Sequence, residues 1–342
     1  MQHKKVGIIV LILTLMAVSY YLGTLQGTQS DAESEEPTSF AASTIPSEEL
    51  SPEKSETPPI NTPITVSTET STEASPTEIQ TSSTTRVSEV DGMEIIFVEA
   101  GEFLMGSADL DAQVAYDNGV AYPEVPIHTV SLESYWIDKT EVTNSQYALC
   151  VADGACDPPS LNTDYIGRDY YPDPAFGDYP VTYVNWHMAH DYCAWAGRRL
   201  PTEAEWEKAA RGTDARRYPW GSSPITADLA NFCDVNCPKD HANPNYNDGC
   251  AVTAPVGSFP EGASPYGVLD MAGNVWEWTA SIPMPYPYNP NDGREEEGGY
   301  QYIWRGGTWS NGTWWLRSTI RYRSIPEYWY NNLGFRCAMS DS

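Results

Sequence analysis

The stretch "CAWAGRRLPTEAEWEKAARG", residues 193–212, holds two helix boundaries. Thr202 followed by Glu205 forms a capping box, in which the threonine oxygen and the glutamate side chain each satisfy an orphan backbone amide. The spacing predicts a helix over "TEAEWEKAARG", stopped by Gly212. A preceding helix, capped by Asn185, should end near Gly197. Working outward, Thr143 with Gln146 opens an earlier helix that runs through Cys150. From Gly92 onward the rest alternates short strand-like runs, 95–98 and 181–184, with long turn-rich loops. That mixture predicts an α+β fold. Loops 158–180 and 282–299 are long enough for surface insertions with binding roles, with disordered excursions as the rival reading.

The chain has 342 residues and a net charge of −28, distributed as +2 over residues 1–23, −10 over 24–90 and −20 over the rest. Such a balance argues against nucleic acid as a partner, because neutralising phosphates needs clustered lysine and arginine. Lys4 and Lys5 precede 18 uncharged residues, 6–23, just enough to cross a bilayer of roughly 30 Å as a helix. The expectation is a cytoplasmic segment 1–5, a signal-anchor over 6–23 and an extracytoplasmic main domain. A cleaved signal peptide is the alternative; no small-x-small site follows Tyr20, Tyr21 and Leu22. Residues 24–90 are rich in Ser, Thr, Pro and Glu and read as a disordered stalk. The folded part is then 91–342.

Eight blocks now fall in order: "GEFLMGS" (101–107), "EVTNSQY" (141–147), the opening stretch, "YPWG" (218–221), "TAPVGSFP" (253–260), "GVLDMAGNVWEW" (267–278), "WRGGTW" (304–309) and "NLGFRCA" (332–338). Together they resemble the formylglycine-generating enzyme family, or sulfatase-modifying-factor domain, over about residues 92–339. The resemblance implies a variant of the C-type lectin-like fold with little regular structure, stabilised by disulfides and calcium. Members of that family oxidise a sulfatase cysteine with copper(I) held by two cysteines after a Gly-Gly-Ser motif. Here Gly306-Gly307-Thr308 marks the place; the first cysteine position falls on Asn311 and the second on Thr313 or Leu316. Soft copper(I) selects sulfur donors, and no cysteine lies between Cys250 and Cys337. No catalytic residue and no copper are therefore expected.

By the same resemblance, Asn231, Phe232, Asp248 and Cys250 would form one structural calcium site, and Asp270, Gly273, Val275 and Glu277 a second. The alternative has Asp248 and Asp270 capping turns and Glu277 paired with an arginine. Cys193 and Cys337 match a family disulfide, which could add about 4 kcal/mol by loop closure. All seven cysteines lie beyond the apolar segment, where an oxidising compartment lets them pair. Cys150 with Cys156 would clip the first helix, and Cys233 with Cys237 would pair locally, leaving Cys250. A zinc site of Cys233, Cys237, Cys250 and His241 is the competing reading.

The family's cleft, where an extended peptide lies, sits over the last 40 residues. Here that region holds Trp309, Trp314, Trp315, Tyr328, Trp329, Tyr330, Asn331 and Asn332. Large aromatics with adaptable amides are the composition of a paratope, and also of a sugar-stacking surface. Trp276, Trp278 and Trp309 read as core. Adjacent bulky rings such as Trp314 and Trp315 cannot all point inward from a strand. The ligand-binding set expected is Trp314, Trp315, Tyr328, Trp329, Tyr330 and Asn332. Arg317, Arg321 and Arg336 should partner buried acids. His187 and His190, three apart on a helix, read as a packed or solvated pair, and His128 and His241 receive no role.

These readings describe a membrane-tethered extracytoplasmic domain, not itself an oxidase, that binds a protein, peptide or glycan. In a sharper form it resembles the variable proteins of diversity-generating retroelements. Its rivals are an oxidoreductase with a different metal, held by His187, His190 and a carboxylate, and a structural envelope protein.

Overall fold

The computed structural model describes residues 84–109 and 122–341, all within a compact unit spanning Thr77–Ser342. The expected cytoplasmic segment, the apolar span 6–23 and nearly all of the stalk lie outside the described residues. Among the described residues no helix is long and apolar enough to cross a membrane.

The three helices begin where their capping residues place them. α1 covers Asn144–Ala152 with Thr143 and Gln146 in a reciprocal capping box. α2 covers Trp186–Trp195, with the Asn185 side chain accepting from the Met188 amide at 3.0 Å. α3 covers Glu203–Arg211; Thr202 and Glu205 cap its start, and Gly212, at φ 66°, ends it. Each cap contributes about 1 kcal/mol.

The strands form three sheets. β1 (Thr85–Val87), β2 (Glu94–Val98), β5 (Tyr135–Asp138) and β10 (Ala338–Ser340) make an antiparallel sheet in the order β1-β2-β5-β10. β3 (Gly101–Met105) and β4 (His128–Leu132) form a hairpin-like pair. β6 (Trp276–Trp278), β7 (Tyr302–Arg305), β8 (Tyr322–Ser324) and β9 (Leu333–Phe335) are ordered β8-β7-β6-β9, with β6 and β9 parallel. The expected run 181–184 is not a strand. Tyr183 takes φ 59°, which breaks the extended course, and the segment makes isolated rungs from the Val181 amide to Val142 O and from the Tyr183 amide to Tyr330 O.

The main core lies between α1, α2 and the second four-stranded sheet. Trp186 stacks on Tyr302 at 4.0 Å and Tyr147 on Tyr192 at 5.6 Å, with Phe335 edge-on to both tyrosines. Cys193–Cys337 fastens α2 to the segment between β9 and β10; Cys150–Cys156 closes the end of α1, Cys233–Cys237 closes a loop, and Cys250 is free. The zinc alternative is thereby overturned, since sulfurs joined to each other cannot serve as thiolate ligands.

α3 departs from an amphipathic surface helix: all nine of its residues are buried, including Glu203, Glu205, Glu207, Lys208 and Arg211. Each charge is met. Arg321 grips Glu203 bidentately at 2.6 and 2.7 Å, Glu207 pairs with Arg305 and Arg211, and Lys208 donates to the Glu99 and Gly101 carbonyls. Burial alone would raise the Glu207 carboxyl, but Arg305 and Arg211 outweigh it and hold the group below the usual range. The long loops are also anchored. Tyr170 donates to Pro180 O at 2.7 Å, and Arg294 is fully buried with its guanidinium on Asp292 and Pro285 O.

Candidate functional site: an aromatic cavity on the second sheet

Cross-strand partners share a face of a sheet, and the register sets Trp278 opposite Trp304 and Trp304 opposite Tyr322. Trp276, two residues before Trp278, lies on the same face. Trp276 and Tyr322 are tilted by 31° at 6.1 Å, and Trp304 and Tyr322 by 37° at 5.6 Å, so the three rings make a loosely co-facial floor. Trp315 stands at 85° to Trp276 and Tyr330 at 72° to Trp304, forming walls. The open-mouthed cavity measures about 550 Å³ and is also lined by Gln301, Asn311, Arg323, Ser324, Ile325, Tyr328 and Asn332. That volume is in the range of ligand pockets.

A glycine turn makes the wall possible. Gly307, at φ 78°, passes so close to the Trp315 carbonyl that a Cβ would stand 2.6 Å from it. No other residue type fits, so the short 3₁₀ helix Thr313–Leu316 can lie against the turn and project Trp315 over the floor. Asn311 is held by its backbone, accepting from Cys233 N and donating to Thr308 O, both at 2.9 Å. Its Oδ1 is buried without a hydrogen-bond partner, and so is the indole N–H of Trp304. The Arg323 guanidinium lies over the Tyr122 ring at 4.5 Å. An adjoining open depression, lined by Lys239, His241, Ser310, Gly312, Thr313 and Trp314, shares Asn311 and Trp315 with the cavity.

Of the expected ligand-binding residues, Trp315, Tyr328, Tyr330 and Asn332 meet at the cavity, whereas Trp314 faces the adjoining depression and Trp329 packs edge-on against Tyr183 at 5.8 Å. Trp309 and Trp278 are fully buried, and Trp276 is a core residue whose exposed remainder forms part of the floor. Trp304, Tyr322, Gln301 and Arg323 were not singled out in the sequence. The two-residue spacing of Trp276 and Trp278 was the available signal, and it needed the strand register to be read.

The positions where the family's copper cysteines would fall are now located. Asn311 lines the cavity, Thr313 is half-buried on the 3₁₀ helix, and Leu316 is fully buried beneath it. Cysteine lines neither depression. Cys337 is disulfide-bonded. Cys250 lies beside Asp248 and Asp234; burial first, then these two carboxylates, push its thiol up to about 11, which keeps it protonated near neutrality.

The histidines have local tasks. His190 stacks on Trp186 at 5.2 Å and His187 meets the same ring edge-on at 5.4 Å. His128 accepts from the Tyr288 amide at 2.7 Å through Nε2, while Nδ1 faces Pro126 O at 2.8 Å, an arrangement that fits a neutral ring. Among the described residues no group of three His, Cys, Asp or Glu side chains is placed to hold a metal.

A calcium site drawing on backbone oxygens needs fewer side chains, and the donor sets were tested separately. At the second expected site, Glu277 has both oxygens engaged, by Arg336 at 2.7 and 2.8 Å and by the Trp206 indole at 2.8 Å. The uncompensated charge nearby belongs to Asp270 and Glu141. Both are fully enclosed and raised above the ordinary carboxylate range, first by burial; Glu141 is raised further by Asp270, and its Oε2 is buried without a partner. An orphaned oxygen beside a second buried acid suits a hard cation. At the first expected site, Asn231 Oδ1 is likewise orphaned. There Asp248 accepts from the Phe232 and Cys250 amides at 3.0 and 2.8 Å, so amide hydrogens face the carboxylate, and burial pushes it up to about 7. At the second, Asp270 accepts from the Gly257 amide at 2.6 Å and Glu141 Oε1 from Asn274 at 3.0 Å, which leaves Glu141 Oε2 as the free carboxylate oxygen, so Glu141 stands in for the expected Glu277.

With this geometry established, comparisons with known proteins add the following. The model of the sulfatase-modifying factor enzyme 1-like domain matches residues 80–341. The formylglycine-generating enzyme of Streptomyces coelicolor is 33% identical over 294 residues, covering 70% of this chain and 86% of that protein. Hercynine oxygenase of Mycolicibacterium smegmatis is 32% identical over 265 residues, covering 68% of this chain and 58% of that protein. The chain thus spans little more than half the length of that relative. Among solved structures, PvdO from Pseudomonas aeruginosa superposes with a TM-score of 0.60 at 28% identity, covering 75% of this chain and 98% of the other.

Proposed function

The chain belongs to the sulfatase-modifying factor enzyme 1-like family, and from that premise we propose that its domain works as a binding module rather than as a formylglycine-generating oxidase. One observation carries the reading: the cavity lined by Asn311, the residue on which the resemblance puts the first copper cysteine, is walled by aromatic rings and has no sulfur. An amide, a hydroxyl and a buried leucine offer no thiolate to copper(I). The same cavity offers aromatic rings and amide side chains, which suit retention of a ligand. In this reading the apolar segment 6–23 tethers the domain at a membrane, and the ligand is an extracytoplasmic protein, peptide or glycan.

Calcium belongs to the same proposal as a structural ion. Asp270 and Glu141 would hold it, with the carbonyls of Gly273 and Val275 completing oxygen coordination. Bound there, it would supply positive charge to two enclosed carboxylates and pin the 267–278 segment.

The test is incubation of the full chain with a Cys-x-Pro-x-Arg peptide, copper and oxygen, followed by mass analysis. No aldehyde is expected. Its stoichiometric appearance would end the non-catalytic reading.

A further inference from the structure

The charges around the cavity are unlike those elsewhere. In this chain of 47 acids and 19 bases, nearly every described arginine and lysine has a carboxylate within 4.0 Å. The exceptions among the described residues are Arg86, stacked on Trp136, Lys208, held by two carbonyls, and the pair Lys239 and Arg323. Arg323 lines the aromatic cavity and Lys239 the adjoining depression, and neither depression is lined by an aspartate or a glutamate. Trp315 and Asn311 border both. A strongly acidic protein thus carries two cations without a carboxylate partner beside its aromatic depressions: Arg323, over the Tyr122 ring, in the first, and Lys239, over the Tyr165 ring, in the second.

The floor narrows the class of ligand. Trp276 and Trp304 each lie within about 40° of Tyr322, and Tyr322, Tyr328 and Tyr330 expose ring surface on which a flat apolar face can stack. The polar lining includes the amides of Gln301, Asn311 and Asn332 and the Ser324 hydroxyl, groups that both donate and accept. A ligand suited to that lining stacks on a ring and pairs with amides and hydroxyls. A pyranose does so with one molecule, because its C–H face stacks while its hydroxyls both donate and accept. A peptide bound as an added strand needs a free strand edge. Here the edge at β8 starts with the Arg321 carbonyl already taken by the Tyr122 amide at 3.1 Å.

We propose that the cavity and its adjoining depression bind a carboxylate-bearing oligosaccharide of the uronic-acid class, laid across Trp315 with its carboxylates toward Arg323 and Lys239. The inference rests on the binding-module reading and adds the ligand class. Calorimetric titration of the full chain with tetragalacturonate is the direct test. The neutral galactose tetramer and a hexaglutamate peptide serve as comparators. Saturable binding of the uronate is expected, at least about tenfold tighter than the neutral tetramer and weakening as salt rises. Arg323→Gln and Lys239→Gln should each weaken it about fivefold, a larger loss than either causes for the neutral tetramer. Trp315→Ala should weaken both sugars, with a retained cooperative thermal transition showing that the fold persists.

Equal affinity for the neutral tetramer, tighter binding of hexaglutamate, or no binding of the uronate would each overturn the proposal. None of these outcomes bears on the oxidase assay. Aldehyde formation there would remove the parent reading whatever the sugars do.

Discussion

Arg321 and Arg323, two positions apart, belong to opposite electrostatic regions. Arg321 is completely buried, with Nε and Nη2 donating to Glu203, Nη1 to the Pro123 carbonyl and Nη2 also to the Met284 carbonyl. Arg323 is exposed, rests on a ring face and has no carboxylate within 4.0 Å. The first belongs to the closed charge layer around α3, where Glu203, Glu207, Arg211, Arg305 and Arg321 pair in charge with one another. The second belongs to the open rim of the cavity. A buried pair contributes little net stability but is costly to break, because the abandoned charge stays desolvated. An exposed unpaired cation costs the fold almost nothing and remains available to a ligand.

Breaking the closed side should have the largest effect. Arg321→Gln leaves Glu203 buried and unpaired, and should lower unfolding stability by about 3–5 kcal/mol in denaturant titration. Arg323→Gln should stay within about 0.5 kcal/mol of the parent. Equal losses at the two positions would erase the distinction.

Next come the covalent ties. Replacing Cys193 and Cys337 by alanine opens a loop with a sequence separation of 144, and should cost about 2–5 kcal/mol. The same change at Cys150 and Cys156, separated by 6, should cost less because the loop is short. A smaller gain tests the enclosed acids. Calcium at 100 times its dissociation constant should stabilise the chain by about 2.7 kcal/mol by mass action, and Glu141→Gln should remove most of that gain. A thermal midpoint indifferent to calcium would count against the ion.

The finest probe concerns a half-buried acid without an arginine partner. Glu295 accepts from Ser281 and Tyr288 at 2.7–2.9 Å, and burial raises its carboxyl from 4.5 to about 7. Between those values the folded state binds more protons than the unfolded one, so the contribution of Glu295 is present below about 4.5 and is lost as pH rises to about 7. Melting Glu295→Gln beside the parent from pH 4 to 8 should show a flatter profile for the variant. Parallel profiles would place the proton elsewhere.

Much of this fold was legible in the sequence because the signals act over a few residues. Thr143 with Gln146, Asn185 with Met188, and Thr202 with Glu205 are contacts three apart, and each helix starts where its cap predicts. The run 181–184 misled for the converse reason: its apolar residues look extended, but Tyr183 turns to φ 59° while its amide is engaged by Tyr330 O. The site was half legible. The aromatic richness of the last 40 residues pointed to Trp315, Tyr328, Tyr330 and Asn332, yet the floor depends on register across β6, β7 and β8. Trp329 shows the limit, since composition cannot say that its ring leans on Tyr183 and away from the cavity.

The sequence alone determined the helix starts, the α+β class, the family and the absence of a cysteine pair after Gly306-Gly307, because each is written in residue identity or near-neighbour spacing. Only the tertiary structure decided which acid meets which arginine, that Glu277 is occupied by Arg336 while Glu141 and Asp270 are not, and that Arg323 and Lys239 flank one surface. Those outcomes depend on groups far apart in the chain being brought within a few ångströms. Electrostatic and packing energies become large only there, once water has been displaced between them.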